Sequence, residues 1–161
     1  MRDNYILFTI ASTTYGLPSQ DVAHVELVEH VTRVPNAPPC VDGVVFSRGA
    51  VVPAVNLRAR FGFERAPYDS RTRLIVAQHD GRCVGQIVDA AREFVTIAAG
   101  LIQPPAEGLT GTSGRYIRGV AIVGDRMILM LDMAELLKIE DMASASADAA
   151  AQATQEKHHG A

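Results

Sequence analysis

The chain has 161 residues, 48% of them hydrophobic and 20% charged, which supplies enough apolar surface for a sizeable core and excludes disorder throughout. Fifteen basic side chains against eighteen acidic ones leave a formal charge of −3, which argues against the basic footprint of a general nucleic-acid binder. No apolar stretch approaches the roughly 18 residues that cross a bilayer. The start lacks a secretory signal, so the expected location is cytoplasmic, without direct membrane insertion.

In chain order the pattern is mostly short strands. A β-rich run from Tyr5 to Ile10 is followed, after a polar turn at Ser12 and Thr13, by a second from Thr14 to Leu17. Ser19 is placed to cap a turn of helix running through His24. Strands from Val44 to Phe46 and from Val51 to Val55 flank a hairpin turn at Ser47-Arg48-Gly49. Strands from Leu74 to Ala77 and from Cys83 to Val88 flank His79-Asp80-Gly81, where Asp-Gly is a strong hairpin signal. A third pair, Val120 to Val123 and Met127 to Leu131, flanks Gly124-Asp125-Arg126. Asp132 then caps a helix from Met133 to Ile139, whose apolar Met133, Leu136 and Leu137 recur at 3,4 spacing. The fold class is all-β.

After Met142 the composition changes: eight of the nineteen residues from Ala143 to Ala161 are alanine. Without large apolar side chains this stretch cannot be anchored to a core, so 1–142 is expected as the folded domain and 143–161 as a mobile Ala/Ser-rich tail. Cys40 and Cys83 have no metal-ligand spacing and are expected as small core residues.

An internal repeat organises the domain. The stretch VDGVVFSRGAVVPAVNLR (41–58) matches IRGVAIVGDRMILMLDMA (117–134) at an offset of 76, which sets Gly43 on Gly119, Val44 on Val120 and Asn56 on Asp132. Upstream, Tyr15-Gly16 falls on Val84-Gly85 at an offset of 69, so the second copy carries a seven-residue insertion between Pro105 and Ile117. Each copy is of a size suited to one small five-stranded barrel, which has little core of its own and must pack against its twin. The junction of the two barrels is the expected groove.

Nothing in the chain asks for catalysis. GxSxG, HExxH and GxxxxGK[ST] are absent, and the Gly-rich stretch 108–114 lacks the lysine of a phosphate cradle. No metal site and no cofactor are expected. Arginine is over-used, thirteen against two lysines, and Arg48, Arg58, Arg60, Arg65, Arg71 and Arg73 fall close together. They read either as a solvated basic face or as a contact surface for an acidic protein, since arginine makes forked bonds to carboxylates.

The hairpin segment 41–58 resembles the CheW signature, an apolar GV-x-N-L-R-G-x-hydrophobic-x-P-hydrophobic-hydrophobic-D-L-R pattern. The opening YILFTI (5–10), Tyr15-Gly16-Leu17-Pro18, VTRVPNAP (31–38), VGQIVD (84–89) and GDRMIL (124–129) are also similar to that family. The resemblance spans most of residues 4–142 and omits the tail. It implies two SH3-like five-stranded β-barrels packed together, with short helices and a C-terminal helix. It also implies a non-enzymatic scaffold that couples chemoreceptors to a CheA-type histidine kinase.

In that family the helical hairpin tip of a chemoreceptor lies along a groove between the barrels, and the resemblance carries Val22, His24, Gly43, Phe46, Arg48 and Phe94 onto it. A loop similar to the family's Pro-Ala-Pro-Glu segment places Pro105, Glu107, Gly108 and Leu109 against the kinase regulatory domain or a neighbouring CheW. Three departures stand out. His24 replaces a common Glu able to pair with the hairpin arginine, and its protonated form would repel Arg48. Phe46-Ser47 replaces Asn-Leu, and Gly108-Leu109 replaces the usual sequence of the loop. They point to a paralogue serving a particular receptor or a pathway other than flagellar taxis. The rival from another class is a small-molecule or nucleic-acid-binding SH3-like module.

Overall fold

The computed structural model describes residues 2–105 and 114–138, so the tail from 143 lies outside it. Strand β1 (Arg2–Ile10) turns into β2 (Thr13–Pro18), and a 3-10 turn at Ser19–Asp21 leads into β3 (Val22–Leu27). Then follow β4 (Val41–Ser47), β5 (Ala50–Asn56) and the single-turn helix α1 (Leu57–Arg60). The second half runs β6 (Arg73–His79), β7 (Arg82–Val88), β8 (Ala90–Ala98), β9 (Ile102–Gln103), β10 (Ile117–Val123), β11 (Arg126–Leu131) and α2 (Met133–Leu136).

Hairpin chemistry fixes the first pairings. The turns at Ala11-Ser12, Arg48-Gly49 and Asp80-Gly81 all hold both central residues at positive φ, the geometry whose twist matches that of paired strands. The first turn therefore sits one residue earlier than expected, and Ser47 belongs to β4 rather than to its turn.

The repeat is realised element by element. Strand β4 pairs with β5 through a bulge between Val41 and Gly43, and β10 pairs with β11 through one between Ile117 and Gly119. The side chain of Asn56 accepts from Ala59 N to cap α1, and Asp132 accepts from Glu135 N to cap α2. The amides of Asn56 and Asp132 donate to Cys40 O and Tyr116 O, each at 2.7 Å.

The sheets are not one per copy, however. One is six-stranded in the order β8-β1-β2-β11-β10-β9, and the other five-stranded in the order β3-β6-β7-β5-β4. Each draws strands from both copies, so the expected barrel-per-copy arrangement is corrected. The chain leaves the first sheet after β2, and parallel pairings close both sheets: β11 beside β2 (Met130 opposite Gly16) and β5 beside β7 (Ala54 opposite Gly85).

The largest apolar cluster lies between the sheets. It joins Phe8 and Leu17 of one to Val55, Ile75 and Val84 of the other, with Leu57, Met133 and Leu136 of the two helices. Smaller clusters around Leu7 and Met130, and around Val76 and Ala54, fill the individual barrels. A run of aromatic rings, Phe8–Tyr15–Phe61–Tyr116, spans the seam with successive centroids 5.8, 5.4 and 5.6 Å apart. The barrels thus share one core, as their small size requires.

Three further expectations are corrected. The helix through His24 is one 3-10 turn, after which Val22 and Val25 fit a strand paired with β6. Cys83 is exposed, because alternation on β7 turns Val84 inward, and Cys40 is only half-buried. Strand β8 has no counterpart among the predicted elements. Of the expected Met133 to Ile139 helix, Met133–Leu136 is helical and Ile139 lies outside the described residues.

The repeat also isolates a misfit. Gln86 occupies the place of Leu17 in the second copy, faces the central cluster between Val84 and Val88, and leaves both amide atoms without a hydrogen-bond partner. A buried unsatisfied amide costs about 1–3 kcal/mol. Gln86→Leu is expected to raise the unfolding free energy by about 1–2 kcal/mol in urea titration; a destabilised variant would show that the amide is satisfied in solution.

Candidate functional site

The hairpin β4–β5 places its residues by strand alternation. Val45 and Ser47 point into the barrel, while Phe46 points out and stands opposite Val51; the two are 75% and 66% exposed. Arg48 opens the turn at φ 47°, exposed, and has no hydrogen bond or ion pair among the described residues. A large apolar pair beside an unpaired cation is a surface feature suited to a protein partner.

The strand β3 closes against this hairpin through a polar clasp. His24 Nε2 lies 2.7 Å from Ser47 Oγ and 3.0 Å from Glu26 Oε2, and Ser47 Oγ donates to Glu26 at 3.0 Å. The two departures at 24 and 47 are therefore in contact with each other. The acid of the clasp comes from Glu26, two residues on, and His24 is engaged by Ser47 and Glu26.

The remaining predicted residues fall as follows. Val22 is half-buried against the central cluster. Gly43 is buried beneath Thr32, whose amide and carbonyl bond Val44, so it shapes the barrel wall and presents no side chain outward. Phe94 is 68% exposed on β8, in the other sheet. Pro105 is exposed, and Glu107, Gly108 and Leu109 lie outside the described residues.

A cleft of about 510 Å³ opens between the sheets, lined by Thr9, Thr14, Arg58 and Asp89 among others, and one of about 690 Å³ lies between residues 31–42 and 65–68. None of the six residues carried to the receptor groove lines either cleft. The candidate site is the exposed β4–β5 face.

The six clustered arginines do not form one face. Arg58 grips Asp89 in a fork, with Nε–Oδ1 and Nη2–Oδ2 both 2.7 Å, and Asp89 also accepts from Ala11 N, tying the two sheets. Arg65 donates to Asp42 and to the Pro39 carbonyl, Arg73 to the Ser70 and Thr72 carbonyls, and Arg71 reaches Asp69 at 3.5 Å. Arg60 is buried with its guanidinium 5.0 Å over the Tyr116 ring. Only Arg48 of the six is left without a partner among the described residues.

Asp42 is a hub that the sequence did not reveal. It accepts from Asn56 Nδ2 and Arg65 Nε, each at 2.9 Å, and from the Tyr68 hydroxyl. Burial would raise its carboxyl, but the bonds from Tyr68, Asn56 and Arg65 outweigh that and hold it below the usual aspartate range. Asp89 is also held low, its burial outweighed by Arg58 and the Ala11 amide. Burial and the neighbouring carboxylate push the Tyr68 hydroxyl well up.

Glu26, Ser47, Val51 and Asp42 were missed as site residues. The signal for Val51 was present, because a two-residue turn at 48–49 sets it opposite Phe46. Ser47 lies 21 residues from Glu26, and the partners of Asp42 lie 14 to 26 residues from it, so these contacts leave no local trace.

Among the described residues no helix is long and apolar enough to cross a membrane. The sequence profile described as CheW-like domain matches residues 4–141. The chain is 32% identical over 139 residues to the chemotaxis protein CheW of Klebsiella aerogenes, covering 86% of this chain and 84% of that protein. It is 26% identical over 138 residues to protein FrzA of Myxococcus xanthus, covering 85% and 86%. Among solved structures, the scaffolding protein TtCheW from Thermoanaerobacter tengcongensis matches with a TM-score of 0.76 and 29% identity, covering 83% of this chain and 90% of that one.

Proposed function

This chain belongs to the CheW-like domain family, and on that premise we propose that it is a non-enzymatic scaffold coupling chemoreceptors to a CheA-type histidine kinase. The observation that carries this reading is the β4–β5 face, where exposed Phe46 and Val51 stand beside an Arg48 that the described fold does not use. The helical hairpin tip of a receptor packs on Phe46 and Val51, and Arg48 bonds a carboxylate or carbonyl that sets its register. Val22, His24 and Gly43 support the hairpin from beneath, and Phe94 extends the contact onto the second sheet. The stretch from Pro105 through Glu107, Gly108 and Leu109 meets the kinase regulatory domain or a neighbouring CheW-like chain. The shared core keeps the two contacts in fixed relation, so the scaffold reaches receptor arrays through its protein partners.

Affinity capture from native lysate is expected to recover a CheA-type kinase together with a chemoreceptor. Arg48→Ala is expected to weaken receptor retention about tenfold with the thermal midpoint unchanged, since a charge-assisted bond contributes about 1.5–3 kcal/mol. Retention at the wild-type level would count against this face. A second reading, a paralogue dedicated to a pathway other than flagellar taxis, is favoured by the clasp of His24 and Ser47, which reshapes the support of the contact face. The identity of the captured receptor decides between them.

A further inference from the structure

The bulges in β4 and β10 leave one residue of each copy without a partner in its ladder, Asp42 in the first and Arg118 in the second. The 76-residue offset makes these two residues twins. Each lines a cleft. Asp42 belongs to the cleft of about 690 Å³, and Arg118 to one of about 310 Å³ formed by the six-stranded sheet and the turn after β2. In the first copy the acid is met by three donors, Asn56, Arg65 and Tyr68. In the second the same place holds a cation, and no acceptor among the described residues meets it.

The smaller cleft gathers further donors around that cation. Tyr5 is only 4% exposed, its ring packed in the cluster of Leu7 and Met130. It stands opposite Pro18, so Ser19 and Gln20 of the following turn line the cleft beside it. The Tyr5 hydroxyl has no hydrogen-bond partner among the described residues and is not sealed from solvent, so it opens on the cleft. Burial first, and then the charge of Asp3, hold this phenol above the usual tyrosine range against the pull of Arg118, so it is a proton donor at neutral pH. Arg2 and Arg118 are exposed, and neither forms an ion pair or hydrogen bond among the described residues. Asp3 is the one acid among the lining residues; it shares a face of β1 with Tyr5 and bonds to neither arginine. Asp21, at the end of the turn, is engaged with His79 at 3.4 Å.

We propose that this cleft binds a phosphate oxyanion, free or as a small phosphate monoester, through Arg2, Arg118 and the Tyr5 hydroxyl, with a hydroxyl of the ligand donating to Asp3. The ligand supplies the acceptor that Asp42 supplies internally in the other copy. Guanidinium forks match pairs of phosphate oxygens, and bonds to a charged acceptor are about twice as strong as neutral ones. A volume of about 310 Å³ lies at the small end of ligand clefts and suits a ligand of few heavy atoms. Asp3 sets the selectivity. An ionised carboxylate only accepts hydrogen bonds, so it welcomes the P–OH of hydrogen phosphate or the alcohol of a polyol phosphate and repels sulfate, which has no proton to give.

Calorimetric titration of the full chain with inorganic phosphate, glycerol 3-phosphate and sulfate, at about 50 mM NaCl to limit screening, tests the proposal. Saturable binding of at least one of the two phosphates is expected, with sulfate about tenfold weaker. The tighter of the two names the source, free phosphate or a monoester, and equal affinities place recognition in the phosphate group itself. Arg118→Gln is expected to weaken binding about tenfold and Tyr5→Phe about fivefold, while Asp3→Asn brings sulfate up to the level of phosphate. Arg118 is exposed and Tyr5→Phe keeps the buried ring, so unchanged thermal midpoints are expected and the losses report on binding. No saturable binding of either phosphate overturns the proposal. So does an affinity that Arg118→Gln leaves intact, and so does sulfate binding as tightly as phosphate to the wild-type chain, which would mark adventitious anion binding only.

Discussion

Gly43→Ala is expected to lower the unfolding free energy by about 3–4 kcal/mol, the largest single effect outside the core. A Cβ at Gly43 would stand 2.1 Å from the Thr32 carbonyl oxygen and 2.8 Å from its carbon, both backbone atoms that cannot swing aside. Accommodating it means opening the bridge in which Thr32 N donates to Val44 O at 2.9 Å and Val44 N to Thr32 O at 2.8 Å. Residues 28–37 would then lose the Thr32 bridge to β4, and with it the packing of Val28 and Val31 on the barrel core. The twin position gives an internal comparison. At Gly119 a Cβ meets Gln103 O and Ile102 Cγ2, each at 2.9 Å, at the short edge strand β9. Gly119→Ala should therefore cost less than Gly43→Ala. Urea titration of both variants checks the order, and equal costs would mean that the Thr32 bridge contributes little.

Asp42→Ala is expected to cost about 2–4 kcal/mol at neutral pH. It removes the acceptor shared by Asn56, Arg65 and Tyr68 and leaves the Asn56 amide, on a buried residue, without that bond. Asn56 also caps α1, so the loss reaches the helix that carries Leu57 into the central core. The sign of the pH dependence follows from the carboxyls being held low in the folded state. Their stabilisation is complete above the ordinary aspartate value of 3.8 and is lost as pH falls below it through the folded-state values. Wild-type stability is thus expected to drop below about pH 4, and Asp42→Asn to show a shallower drop. An acid limb of undiminished slope in that variant would remove Asp42 as a contributor.

The legible parts of this protein were local ones. Hairpins at Arg48-Gly49 and Asp80-Gly81 are written in adjacent residues, because only certain residues tolerate positive φ at both turn positions. The caps at Asn56 and Asp132 lie within three residues of the amides that they bind. Strand β8 escaped notice because Ala90-Ala91-Arg92-Glu93 carries little β-branched character, and its pairing with β1 supplies what propensity does not. The sequence sets His24 against Arg48 as a residue that withholds an acid and repels the arginine when protonated, whereas the fold turns it to Ser47 and Glu26. Glu26 shares a face with His24 only once the segment is a strand rather than a helical turn, and Ser47 comes from β4, 23 residues away.

The sequence by itself determined the all-β class, the duplication and its 76-residue register, and the family, because each depends on residues near in the chain or on a pattern compared along it. Tertiary structure alone decided which strands share a sheet, which arginines are internally engaged, and which face keeps an unpaired cation. Those outcomes depend on pairings between residues dozens of positions apart, such as Gly16 beside Met130 and Arg58 on Asp89. A carboxylate chooses its guanidinium by distance in the folded chain, and Arg48 is left free because no acid of the described fold is placed to meet it.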